Sequence, residues 1–110
     1  MKRGEIWTAA AGSGYAGKPR PVVIIQDDLF DATASVTICA FTTDATDAPL
    51  FRIPVDADET TGIRQPSRLM VDKITTVPRS KLGEQIGQLS DDDMARLARS
   101  AVVFLGLASS

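Results

Sequence analysis

Gly17-Lys18-Pro19-Arg20-Pro21-Val22-Val23-Ile24-Ile25 is the stretch on which the fold turns. Val22 to Ile25 form an unbroken β-branched run, which reads as a strand buried on both faces. Ahead of that run, each basic residue precedes a proline. A proline disfavours helical backbone in the residue before it, so Lys18 and Arg20 are held extended. Pro21 has no N–H to give to a ladder, which puts this entrance at a sheet edge or a strand start. The stretch presents a guanidinium on a stiff stem at the mouth of a packed sheet or barrel. Such a group suits recognition of a phosphate or carboxylate in fixed geometry. A structural ion pair of Arg20 with Asp27, Asp28 or Asp44 is the alternative.

Upstream, Glu5-Ile6-Trp7-Thr8 reads as a short strand, and residues 9–18 as a glycine-rich loop with one aromatic, Tyr15. The loop is either a connector or a functional segment. It is not a P-loop, because no Gly-Lys-Ser/Thr end opens a helix. Downstream, Gln26 to Asp31 reads as a turn with aspartate capping, not as a metal pair at Asp27 and Asp28. Val36 to Phe41 is a strand ending at Thr42 and Thr43, whose hydroxyls are ordinary turn residues unless they face Arg20. Leu50 to Val55 alternates like an edge strand, with Pro54 marking the edge. Residues 56–66 form a second long loop. Ser67 to Val77 is a strand pair or one bent strand, with Asp72-Lys73 as a bulge aiming charges into a site. Pro78 to Gly83 is a turn, and Glu84 to Leu89 is a last strand.

The end of the chain predicts a helix. Ser90 is the N-cap and Asp91, Asp92 and Asp93 occupy the first turn, where the dipole favours acids. Met94, Leu97, Ala98, Ala101 and Leu105 recur at helical spacing, with Arg96 and Arg99 facing outward. Five or six short strands and one terminal helix predict a small, strongly bent antiparallel barrel.

With 110 residues and 44% hydrophobic content, the chain predicts a single domain over residues 1–110. It holds no histidine and one cysteine, Cys39. That excludes an imidazole shuttle, a His-based triad and an internal disulfide, and it argues against a metal site or a cofactor of that kind. No run is apolar enough for a membrane span, and Met1-Lys2-Arg3-Gly4-Glu5 lacks a signal peptide's apolar segment, so a soluble, cytoplasmic protein is expected. The net charge of −2 hides an uneven distribution. Lys2, Arg3, Lys18 and Arg20 outnumber Glu5 in residues 1–26, and Arg64, Arg68, Lys73, Arg79 and Lys81 outnumber Asp72 in residues 61–81. If the fold joins these blocks, an acidic protein gains a basic face for an anionic ligand.

Lys2-Arg3-Gly4-Glu5-Ile6-Trp7, the glycine-rich loop, Gly17 to Gln26, the strand ending Phe41-Thr42, and Leu82…Leu89-Ser90-Asp91-Asp92-Asp93-Met94 together resemble the MazF/PemK toxins of toxin–antitoxin systems. The resemblance runs from about residue 2 to the final helix. It implies a mainly β, SH3-like (CcdB/MazF-type) antiparallel barrel with a C-terminal α-helix, assembled as a two-fold homodimer. It also implies metal-independent, sequence-specific cleavage of single-stranded RNA, especially mRNA, blocked by a MazE-like antitoxin with a disordered acidic segment. On this resemblance Arg20 matches the catalytic arginine and Thr42 the catalytic threonine. Tyr15, Lys18, Thr43, Ser67, Asp72 and Lys73 are the expected RNA-contacting residues. The family's loop before the arginine often carries an acid and a glutamine, and this chain has neither, so the general base is unassigned. Tyr15 either stacks on a base or packs the loop down.

Two other classes compete. A CcdB-like gyrase-poisoning toxin uses a tryptophan near its C-terminus, whereas the one tryptophan here is Trp7. An SH3-like adaptor binding an extended peptide would explain a groove but not the pairing of Arg20 with Thr42.

Overall fold

The computed structural model describes residues 1–10 and 18–107. Among them, seven strands join in one antiparallel sheet: β1 (Glu5–Ala9), β2 (Arg20–Ile24), β3 (Ser35–Thr42), β4 (Arg52–Val55), β5 (Ser67–Met70), β6 (Thr75–Pro78) and β7 (Leu82–Gln88). Helix α1 (Asp91–Phe104) follows. The spatial order is β4-β5-β3-β2-β1-β7, and β6 also pairs with β3. The expected barrel is present in outline. Strands β6 and β7, joined through a 3₁₀ turn at Arg79–Lys81, flank the two sides of the β3-β2-β1 ladder without hydrogen bonds closing the gap between them.

The β-branched run sits centrally, between β1 and β3. Period-two alternation then requires apolar residues on both faces. Val23 enters one core cluster with Ile6, Cys39, Phe41 and Leu69, while Val22 and Ile24 enter a second with Val36, Ile38 and Leu82. Helix α1 covers the first cluster through its buried Leu97, with Met94 and Ala101 packed alongside. Its N-cap is as expected: Ser90 Oγ accepts from Asp93 N at 3.1 Å. The far end differs from the sequence pattern. Leu105 is the C-cap and stays 56% exposed, and Phe104, itself exposed, sets its ring 5.9 Å from that of Phe51.

Strand β3 is the spine. One edge pairs with β2; the other pairs first with β6 and then with β5. Between the pairs Thr42↔Arg68 and Ile38↔Thr75, β3 advances four residues and its partner seven. The three extra residues form a 3₁₀ turn, Val71–Lys73, thrown out of the ladder. Of the two alternatives for Ser67 to Val77, the structure gives two strands rather than one bent strand, and a whole turn stands where the bulge at Asp72-Lys73 was expected.

Residues 56–66 cross β7 so closely that two glycines are required. Gln88 N donates to Thr60 O at 2.8 Å. A Cβ on Gly87 would lie 2.2 Å from Thr61 O, and one on Gly62, at φ +71°, 2.0 Å from Ile86 O. This contact delivers Ile63 to the first core cluster. No helix among the described residues is long and apolar enough to cross a membrane.

Candidate nucleic-acid interface

Arg20 is the first residue of β2, pairing with Ala9, and the proline beside it pairs with Thr8. The missing Pro21 N–H thus falls at the start of a central strand, where the ladder is just beginning. Arg20 is exposed, and its guanidinium makes no ion pair or hydrogen bond among the described residues. The acids that might have claimed it are engaged elsewhere. Asp27 accepts from Leu29 N at 2.9 Å, Asp28 from Arg3 N at 2.7 Å, and Asp44 from Thr46 Oγ1 at 2.7 Å. The structural ion-pair reading of Arg20 is thereby removed.

Thr42 ends β3. Continuing the Val22↔Ala40 register by two residues on each strand brings Arg20 to the level of Thr42. The side of the sheet follows from alternation: Arg20 continues the Val22 and Ile24 face, and Thr42 the Val36, Ile38 and Ala40 face, both belonging to the second core cluster. Directly opposite Thr42 on its other side stands Arg68. A hydroxyl flanked by two guanidinium-bearing positions results, at one end of the sheet. Thr42 Oγ1 accepts from Asp44 N at 3.1 Å, which leaves its O–H as a donor. Lys81 is at the same end, its carbonyl accepting from Ala10 N at 2.9 Å. The two basic blocks of the sequence do meet.

The other expected contacts divide. Lys18 and Thr43 are exposed near the ends of β2 and β3, and Lys73 is exposed at the close of its 3₁₀ turn. Ser67 is buried and its hydroxyl donates to Gln65 O at 2.9 Å. Asp72 is held by Arg52 in a two-bond fork, Nε to Oδ1 at 2.8 Å and Nη2 to Oδ2 at 3.1 Å. That fork holds the Asp72 carboxyl below its usual range and raises Arg52. Asp44 is lowered as well, mainly by the Thr46 hydroxyl. Tyr15 lies outside the described residues. Among those residues, no three His, Cys, Asp or Glu side chains gather as a metal ion would need.

Sequence patterns do not place Arg68 beside Thr42. In the sequence it reads only as charge, because its partner Thr42 is far away along the chain and no local pattern reports the pairing. Arg68 Nη1 donates to Thr46 O at 3.2 Å and reaches Asp44 O at 3.5 Å. It pins the loop that follows Thr42. Beside it a cleft of about 190 Å³ opens, lined by residues of that loop and by Pro54, Asp56, Pro66 and Ser67.

Comparison with known proteins gives a consistent picture. Residues 2–105 match the family described as PemK-like, MazF-like toxin of type II toxin–antitoxin system. The chain is 58% identical over 108 residues to a probable endoribonuclease MazF of Mycolicibacterium smegmatis, covering 98% of this chain and 99% of that protein. The solved Mycobacterium tuberculosis toxin MazF-mt6 is 29% identical, with a TM-score of 0.79 and coverage of 93% and 96%. A mycobacterial endoribonuclease in complex with its cognate antitoxin is similar in fold, with a TM-score of 0.82 at 20% identity over 100% of this chain and 99% of that one.

Proposed function

We propose, since the chain belongs to the PemK-like, MazF-like toxins of type II toxin–antitoxin systems, that it is a cytoplasmic endoribonuclease cutting single-stranded RNA, mRNA in particular, at defined sequences. The observation that carries this reading furthest is Arg20: exposed, with no acid partner among the described residues, and level with the Thr42 hydroxyl on one face. The gyrase-poisoning alternative finds no support among these relatives.

A chain without histidine can still cleave RNA, because the substrate supplies its own nucleophile. The ribose 2′-oxygen bonds to the adjacent phosphorus, the bond to the 5′-oxygen breaks, and a 2′,3′-cyclic phosphate and a 5′-OH result. The 2′-OH loses one proton and the 5′-oxygen gains one, so the step needs no metal-activated water. The protein's task is to hold the backbone in line and to stabilise charge growing on the phosphorane. Arg20 clamps the phosphate oxygens and Thr42 donates to the same group. Lys18, Thr43 and Lys73 follow the strand on either side, and Tyr15 stacks an unpaired base. Ser67 and Asp72 act as supports, through Gln65 and Arg52. Unpaired RNA is favoured because side chains read splayed bases far better than an A-form duplex. A MazE-like antitoxin covers the site with an acidic segment, and the toxin works as a two-fold homodimer.

The test is cleavage of a long single-stranded RNA in EDTA by wild type and Arg20→Ala, with the ends mapped. Discrete cuts ending in cyclic phosphate, slowed about 10²–10³-fold in the variant, are expected. A folded, antitoxin-free wild type that leaves the RNA intact would reject the reading.

A further inference from the structure

We infer that the cleft beside Thr43 and Arg68 is a base-reading pocket, in which Asp56 accepts from the exocyclic amine of one unpaired base next to the cut and uracil is rejected. This deepens the ribonuclease reading and rests on it.

Position comes first. Arg20, Thr42 and Arg68 stand on neighbouring strands β2, β3 and β5. Two strand spacings, about 10 Å, separate the clamp from Arg68. A nucleotide adjoining the clamped phosphate can therefore reach the cleft. Its charge then decides which part of that nucleotide enters. Asp44 and Asp56 both line it. Two carboxylates repel a phosphate, so the backbone stays with Arg20 and the base turns in. Pro54, Val55 and Pro66 give apolar surface for the faces of a ring.

The polar groups are not equivalent. Asp44 is tied to Thr46 Oγ1, and the Ser67 hydroxyl to Gln65 O. Asp56, by contrast, is exposed and has no side-chain partner among the described residues. Arg68 uses Nη1 for the loop carbonyls, which leaves Nε and Nη2 as donors. An acceptor and a donor thus share one cleft. Carboxylates accept from base amines, as acids do from cytosine N4. Adenine, cytosine and guanine each offer such an amine. Uracil offers a single N–H between two carbonyls, and the lone pairs of both repel a carboxylate.

The test is cleavage of an RNA pool randomised around the cut, by wild type, Asp56→Asn and Arg20→Ala, with every product end sequenced. Wild type should disfavour uracil at one flanking position. In Asp56→Asn, whose amide can donate to a uracil carbonyl, that discrimination should shrink about tenfold, with preferences at other positions kept. Arg20→Ala should slow all sequences alike and keep the wild-type profile. An Asp56→Asn profile identical to wild type, or a uniform loss at every sequence, would overturn the pocket while leaving the ribonuclease standing. A wild type that cuts no RNA would remove both.

Discussion

At the scale of single residues, Arg20 and Arg52 differ sharply in their partners. Arg52 is largely buried and forked onto Asp72, whereas Arg20 faces solvent with no acid partner among the described residues. The fork should be visible in a pH series. Asp72 is held below its ordinary range, so the pair contributes stability that is present above the unfolded carboxyl pKa of about 3.9 and lost as pH falls through the lower folded value. Asp72→Asn should cost about 1–2 kcal/mol near neutral pH, between the exposed and buried limits for ion pairs. Thermal melts should show the gap to wild type closing below about pH 4, and a gap unchanged from pH 7 to pH 3 would contradict the assignment. Arg20 was legible in the sequence because two prolines fix its backbone locally. The engagement of Asp72 was not, since Arg52 lies twenty positions away and only the fold brings them together.

Elements tell a similar story with a different cause. Strands β1 to β3, the edge strand β4, the Asp27 cap and the Ser90 cap all follow from patterns within a few residues. What escaped was the length of the excursion between β5 and β6, because a 3₁₀ turn of three residues leaves no periodic trace. The helix end escaped too: apolar spacing marks Leu105, yet the helix stops at Phe104 and the leucine stays outside. The crossing of residues 56–66 over β7 leaves no room for a Cβ at Gly62 or Gly87. Gly87→Ala would push a methyl carbon against the Thr61 carbonyl, where backbone, not a flexible side chain, must yield. We expect a loss of about 1–3 kcal/mol in denaturant unfolding. An unchanged midpoint would mean that the loop shifts without cost. Gly62→Ala should be at least as harmful, adding a positive φ to the same clash.

Considered as a whole molecule, the protein buries its one thiol at the centre of its spine strand. Cys39 is fully buried, and that burial pushes its pKa up to about 12. The thiol should resist alkylation at pH 8 in the native state and react promptly in denaturant, since the thiolate is the reactive form. Alkylation rates rising in step with the unfolded fraction would confirm it, and fast native labelling would not fit. The same spine sets the order in which the sheet can be completed. β1 receives its second neighbour through pairs such as Glu5↔Gln88, whose residue numbers differ by 83. Contacts so distant in sequence form late, because loop closure must come first. During synthesis the outer edge of β1 stays unpaired until Leu82–Gln88 has been made. A chain of this topology keeps one side of its central ladder open until every other described strand has been made.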